Sequence, residues 1–360
     1  MTRVDRTQRA TRLGQVQLYV GSSLDIDDVR RYRDLFGGVT LQGHAGLRIA
    51  ERLRRDGDLR GVDLDPAVYL DQRVSNQLTF DFDLEPFDWI RAQRDLGLAV
   101  VRSAGRRIRV GRVEDLRHEL AVSYASDVRV VLVLDDGWMG SRHIDALEQQ
   151  LMAADRDVSL IFAACFDPLD SANKMAGLRR VLRWSRSSGR MVELLRTDPA
   201  GIVAATEGTR LAAIGIGTST RHYGLPLPAQ QRPDYVRRQH SPLVFLPSLL
   251  HWQRGAVLAA LVPWGGAGIT NCECTACESA GQDLTRFGRV YGSIPREVTE
   301  AIREHDVLAL AAVVRSLVGS PDAAAALKQR CSEAVRLGRS VAASFKVRLD
   351  PPPAWQTAWA

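Results

Sequence analysis

Three cysteines crowd into one short stretch, Cys272-Glu273-Cys274-Thr275-Ala276-Cys277, and nothing else in the chain restricts its folding so sharply. A tight turn carrying thiols at n, n+2 and n+5 can present three sulfurs to one ion. Zinc takes four such ligands in a tetrahedron, with thiolate and imidazole preferred. The fourth ligand must come from elsewhere in the chain, and His305, at the predicted start of a helix, is the candidate. Cys272, Cys274, Cys277 and His305 would form a closed site, hence a structural zinc rather than a catalytic one. Three alternatives stand beside it: a chance cluster, an iron–sulfur centre that borrows Cys331, and a zinc site completed by His240 or His251. The remaining cysteines, Cys165 and Cys331, lie far away, so the pattern is not a secreted disulfide framework.

Composition sets outer bounds. The 360 residues are 45% hydrophobic and 25% charged, an ordinary globular balance. The length allows one domain of α/β-barrel size or two smaller ones. No run of about 18 apolar residues occurs, so no membrane helix and no membrane partner are expected. Met1–Gly14 is polar and Arg-rich without the apolar core of a secretory signal, which predicts a solvated, flexible leader and a cytoplasmic protein. The formal charge is +6, and only three of the 48 basic residues are lysine. An arginine-dominated surface suits phosphate contacts, though it equally suits a genome rich in arginine codons.

Apolar, β-branched runs alternate with amphipathic ones through most of the chain. Strands are predicted at Val16–Gly21, Gly61–Tyr69, Leu98–Arg102, Val128–Leu134, Ser159–Cys165, Met191–Leu195, Leu211–Ile216, Leu243–Leu246 and Ala256–Val262. Helical stretches lie between them, for example Asp27–Phe36, Leu47–Arg55, Phe87–Gln93, Ser141–Ala153 and Ala172–Ser187. Such alternation implies parallel strands joined by crossovers. The fold class read from it is α/β, a TIM-like (β/α)8 barrel over residues 15–268 with a C-terminal zinc-binding helical subdomain over 269–348. A doubly wound open sheet is the runner-up, although no glycine fingerprint follows the first strand. Helices are expected at His305–Val318 and Asp322–Phe345, and a loose tail at 349–360. Acidic residues close several strands: Asp63 and Asp65, Asp135 and Asp136, Asp167 and Asp170, Asp198. They are barrel-mouth candidates, or simply caps of the helices that follow.

The Cys-x-Cys-x2-Cys cluster, followed at a distance by a helical histidine and preceded by a barrel-like region, resembles the zinc subdomain of tRNA-guanine transglycosylases. Relatives in that family insert deazaguanine bases into DNA. The resemblance is close over Cys272–Phe345 and architectural over the preceding part. It implies exchange of guanine for a 7-deazapurine in tRNA or DNA through a carboxylate nucleophile and an acid–base partner, the logic of retaining glycoside chemistry. Asp65 is the nearest match to the family's acid–base aspartate, although Pro66 and Ala67 follow it. Asp135 matches the aspartate that reads the purine edge. Ala213-Ile214-Gly215-Ile216-Gly217-Thr218 resembles the family's Gly-Leu-Ala-Val-Gly-Glu strand, which makes Ile214 and Gly215 candidates for lining the base pocket.

Two departures accompany the match. The pocket glutamine would fall near Ala164-Cys165, where none is present. The nucleophilic aspartate would fall in Leu258–Pro263, a run without a carboxylate; Asp167, Asp170 or Asp198 would have to replace it. Three functions are therefore compared. One is base exchange with a relocated nucleophile. The second is a non-catalytic member that binds nucleic acid or a deazapurine, as a homodimer or a heteromeric partner subunit. The third is an unrelated barrel enzyme, such as a hydrolase, with a convergent zinc clip. A phosphate-gripping face would draw on Arg286, Arg289, Arg296 and Arg303, on Lys328, Arg330, Arg336 and Arg339, and on Arg106, Arg107, Arg109, Arg112, Arg232, Arg237 and Arg238.

Overall fold

Residues that alternate between β-branched runs and amphipathic stretches build a parallel sheet flanked by helices in the first part of the chain. The computed structural model describes residues 15–21, 24–73, 86–164, 168–169, 171–221, 223–224, 242–281, 283–289, 294–318, 320, 322–349 and 352–359. Met1–Gly14, Cys165, Asp167, Asp170, Arg232, Arg237, Arg238 and His240, for which the sequence sets expectations, lie outside the described residues. The chain divides into two compact units, Met1–Leu225 and Pro226–Ala360. The division thus falls well before the expected boundary at residue 268.

The first unit runs β1 (Gln15–Val20), α1 (Ile26–Phe36), β2 (Val39–Gln42), α2 (Gly43–Arg55), β3 (Val62–Asp65), α3 (Pro86–Leu96), β4 (Val101–Arg102), β5 (Arg106–Ile108), α4 (Val113–Ala121) and β6 (Val128–Asp135). It continues with α5 (Ile144–Ala154), β7 (Val158–Ala164), α6 (Ala172–Ser188), β8 (Val192–Thr197), α7 (Ala200–Thr206), β9 (Leu211–Gly215), α8 (Thr218–Arg221) and β10 (Tyr223–Gly224). In β6 every residue but the last is buried, and in β7 all are, as expected of strands covered on both faces. Strand β2, squeezed between Gly37-Gly38 and Gly43, was too short to register as an apolar run.

The strand order is β3-β2-β1-β9-β8-β7-β6-β4, with every ladder parallel. Strand β5 continues along β6 where β4 ends, and β10 pairs with the end of β7. In a doubly wound sheet β1 would neighbour a strand from the middle of the chain. Here its second neighbour is the last long strand, β9, which brings the two ends of the chain segment together and curls the sheet. A closed barrel would also need a ladder between β3 and β4. Among the described residues none exists, so the observed architecture is a curled parallel sheet open at one seam.

Side chains occupy that seam. Residues of β3 and β4 are buried, and buried backbone groups must find hydrogen-bond partners. On α3, the Gln93 amide stands in for a neighbouring strand: Arg102 N–H donates to its Oε1 at 3.0 Å, and its Nε2 donates to Arg102 O at 2.7 Å. Arg102, fully buried, donates from Nη1 to Leu64 O on β3 at 3.0 Å and from Nε to Glu193 Oε2 on β8 at 3.0 Å. Ser159 Oγ donates to the same Glu193 oxygen at 2.7 Å, and Arg129 pairs with the other. Burial, followed by repulsion from Arg102 and Arg210, pushes the Arg129 pKa down to about 9, so it remains a cation at neutral pH. Further along the strands the interior turns apolar, with Val131, Val133, Ile161, Leu195 and Ala213 packed together with Tyr19, Tyr69 and Tyr223.

The second unit contains the antiparallel hairpin β11 (Leu243–Leu246) and β12 (His251–Arg254) and the helices α9 (Gly255–Leu261), α10 (Thr275–Ala280), α11 (Arg296–Val318), α12 (Ala323–Phe345) and α13 (Ala354–Trp359). Two strand assignments are corrected here. Leu243–Leu246 is a strand, but antiparallel and outside the curled sheet. Ala256–Val262 falls on helix α9 and the 3-10 turn behind it, Val262–Gly268. Its Ala256, Ala259 and Ala260 favour a helix, and Val257, Leu258 and Leu261 form one buried face at helical spacing. The tail is not loose: Trp355 is fully buried, and Gln356 Nε2 donates to Leu249 O at 2.6 Å. No helix among the described residues is long and apolar enough to cross a membrane.

Replacing Arg102 by leucine removes one of the two cations paired with the buried Glu193 and the donor to Leu64 O, and is expected to cost about 3–5 kcal/mol of unfolding free energy. Gln93→Leu, which orphans two buried backbone groups, is expected to cost about 1–3 kcal/mol. Urea unfolding of the two variants against the parent checks both values; a loss for Arg102→Leu no larger than for an exposed arginine would show that side chains do not hold the seam.

Candidate metal centre

Cys272 follows Asn271, which bridges to Asp283. Cys274 sits at the N-cap of α10, and Cys277 lies in its first turn, donating its N–H to Cys274 O at 2.8 Å. Thr270 Oγ1 donates to Asp283 Oδ1 at 2.9 Å, and Asp283 also accepts from Thr285, which ties the cysteine turn to the segment behind it. His305 comes from the middle of α11. That helix starts at Arg296, directly after Pro295, and not at His305 as expected; proline there is an ordinary helix-start signal.

The four side chains converge. Cys272, Cys274, Cys277 and His305 are all buried, and their ligand atoms lie within 4.8 Å of one another, so together they could hold a metal ion. His305 Nδ1 stands 3.6 Å from Cys274 Sγ and 3.2 Å from Cys277 Sγ. A tetrahedral zinc site with ordinary bond lengths has nitrogen–sulfur edges of roughly 3.6 Å. Of the alternative ligands, Cys331 lies buried on α12 and does not join the group, and His251 Nδ1 is paired with Gln253 Nε2 at 2.9 Å.

Supporting groups orient the ligands. With Nδ1 facing the sulfurs, His305 Nε2–H donates to Phe245 O at 2.8 Å. The next residue, Asp306, accepts from Phe245 N–H and from Trp252 Nε1–H, both at 2.8 Å. The His305-Asp306 pair therefore grips both backbone groups of Phe245 and fixes the imidazole tautomer, as second-layer partners of metal ligands commonly do. Arg286 Nη2 donates to Cys277 Sγ at 3.5 Å. Burial works against a charged imidazole, but hydrogen bonds to Cys274 and Cys277, with the Asp306 carboxylate, outweigh it and push the His305 pKa up to about 10. Hydrogen bonds from Cys272 and Cys277 hold the Cys274 thiol well below its usual range.

The aspartates taken from the resemblance occupy different surroundings. Asp65 ends β3 and is fully buried. Its Oδ2 accepts from Tyr19 Oη and Tyr69 Oη, each at 2.6 Å, and its Oδ1 from Ala67 N–H at 3.0 Å. Burial and then the Asp65 charge push both phenols well above their ordinary pKa, so they stay protonated as donors. Arg196 lies over both rings, 5.5 Å from the Tyr19 centroid and 5.8 Å from that of Tyr69. Asp135, at the end of β6, is less enclosed; Arg107 Nε donates to its Oδ1 at 2.8 Å and Val110 N–H to its Oδ2 at 3.3 Å. Asp136 pairs with Lys174 at 2.6 Å, and Asp198 accepts from Ala200 N–H at 2.8 Å in the capping role. Ile214 is fully buried, and a Cβ on Gly215 would meet Thr220 O at 2.2 Å. The smallness of Gly215 is therefore used by the close approach of α8.

Several arginines of the expected phosphate face are engaged within the protein. Arg286 turns to Cys277 and to Gly281 O, Arg296 pairs with Glu300, Arg107 with Asp135, and Arg112 with Asp115. Lys328, Arg336 and Arg339 stay exposed on α12.

Cys274→Ala and His305→Ala should each abolish stoichiometric metal, read by elemental analysis of purified protein. Because bound cysteines must be thiolates and the histidine neutral, protons compete with the ion and metal should be lost as pH falls. A chelator should lower the midpoint of thermal unfolding of the parent and leave the Cys274→Ala variant unchanged; equal response of both would separate the metal from the four residues. Compared with models of protein families, with curated proteins and with solved structures, the chain matches none.

Proposed function

We propose that this chain is a structural-zinc protein of the tRNA-guanine transglycosylase-like type, which binds nucleic acid or a deazapurine base and does not itself carry out base exchange. The zinc assignment rests on the donor set, since three cysteine sulfurs and one imidazole converging within 4.8 Å suit zinc better than harder cations. When bound, the ion supplies a closed cross-link among the cysteine turn, α10 and α11, and Phe245 and Arg286 hold the ligands from outside. In this reading the curled sheet is a (β/α)8 barrel whose β3–β4 seam is completed by Gln93 and Arg102 instead of a ladder.

The observation that carries the non-catalytic reading is the engagement of the strand-end carboxylates among the described residues. Base exchange needs one carboxylate free to attack the anomeric carbon and an acid–base group beside it. Asp65 accepts three hydrogen bonds in a buried cage, Asp135 and Asp136 carry cationic partners, and Asp198 caps a helix. The run aligned with the nucleophile strand, Leu258–Pro263, lies on α9 and the turn behind it. Nucleic-acid contact would fall to exposed cations such as Lys328, Arg336 and Arg339, through phosphate oxygens.

Fluorescence anisotropy with tRNA and with duplex DNA at two salt concentrations, paired with a labelled-guanine exchange assay on the same substrates, tests this reading. The expected result is binding that weakens steeply with salt, and no label exchanged. Label incorporation would overturn the non-catalytic assignment, and absence of binding at low salt would overturn the nucleic-acid one.

A further inference from the structure

At the N-terminal end of the curled sheet, opposite the strand-end aspartates, lies a cavity of about 320 Å3 lined in part by Gln17, Arg60, Asp63, Glu193 and Arg210. It borders the β3–β4 seam, with the turns before both strands in its wall. Ligand cavities run from about 300 to 1,000 Å3, so this one suits a small molecule. Three lining side chains are polar and almost wholly buried: Gln17 at 2%, Asp63 at 6% and Glu193 at 0% exposure. Polar groups at that depth need partners, and Glu193 has its own in Arg102, Arg129 and Ser159.

Asp63 is different. Its Oδ2 accepts from Gln17 Nε2 at 3.0 Å, and Thr40 Oγ1 fixes that amide by donating to Gln17 Oε1 at 2.8 Å. The nearest guanidinium nitrogen, Arg102 Nη2, is 3.8 Å away, beyond hydrogen-bond length. Asp63 Oδ1 accepts no hydrogen bond among the described residues. At the rim the sign reverses. Arg60 is exposed and makes no ion pair among the described residues, and Arg210 touches Met191 Sδ at 2.9 Å but no carboxylate. Inside, Asp63 and Glu193 balance Arg102 and Arg129, so Arg60 and Arg210 leave the entrance with excess positive charge.

We propose that this cavity binds a small zwitterion, its ammonium group on the free oxygen of Asp63 and its anionic group on Arg60 and Arg210. A plain anion would confront Asp63, and a plain amine would confront the two arginines; a zwitterion satisfies both ends. The proposal is independent of the nucleic-acid reading, because it concerns the opposite end of the sheet and its test contains no nucleic acid.

Calorimetric titration of the full chain with glycine, β-alanine and O-phosphoethanolamine provides the test, with methylamine, acetate and inorganic phosphate as the separate halves. At least one zwitterion is expected to bind about tenfold or more tightly than either of its halves. Asp63→Asn should abolish that preference for the zwitterion over its anionic half. Since Asp63 is buried and its replacement can disturb folding, the doubly exposed-site variant Arg60→Ala with Arg210→Ala is measured in parallel, and it should weaken zwitterion binding at least several-fold while keeping the parent circular dichroism. The proposal is overturned if no zwitterion binds, if a half binds as tightly as the whole, or if the folded double variant keeps the parent affinity.

Discussion

A curled parallel sheet has two edges wherever its ends fail to pair, and here both edges, β3 and β4, are buried. Water cannot satisfy their backbone groups, so the protein must. The Gln93 amide completes Arg102 from α3, and the Arg102 guanidinium reaches Leu64 on the other side of the seam while meeting Glu193. That one arginine links three consequences. It lets the sheet curl without a last ladder, it requires the buried Glu193 that also holds Arg129 and Ser159, and it leaves Asp63 with an oxygen facing a cavity. A seam held by side chains instead of a ladder leaves room beside it, which is where the cavity lies.

The second unit solves a comparable problem differently. Its hairpin offers the backbone of Phe245, and two consecutive residues of α11 take up both of that residue's polar groups. One of those residues is His305, whose other ring nitrogen faces the thiols. Strand, helix and cysteine turn therefore share a single imidazole. A metal ion held by these four residues would be coupled to packing in this unit through that ring, since moving it would break the Phe245 contact as well as a ligand bond.

The described strand-end carboxylates have surroundings that the resemblance does not foresee. Asp65 stands at the end of its strand, where a barrel enzyme would place a catalytic group. Two phenols and a backbone N–H donate to its two oxygens, and Arg196 lies over both phenol rings. An aspartate in such a cage is part of the core. Asp135 is more accessible, and its partner Arg107 came from the same arginine-rich stretch that had been read as a phosphate-binding surface.

The residue order by itself determined the local facts: the strands of the first unit other than β2, β5 and β10, and that three closely spaced thiols with one distant histidine make a metal-type donor set. These depend on side-chain period, propensity and short-range spacing, which are properties of neighbours along the chain. Ala256–Val262 shows the limit, because a short apolar run reads alike as strand or helix until its packing partner is known. Only the tertiary structure decided that β1 pairs with β9, that Leu243–Leu246 pairs antiparallel with β12 instead of joining the sheet, and that Trp355 anchors the tail. It also decided that Asp65 is sealed and Asp63 is not. Pairings and burial of this kind join residues far apart in sequence, and nothing local to Asp63 or Asp65 distinguishes two aspartates two positions apart on the same strand face.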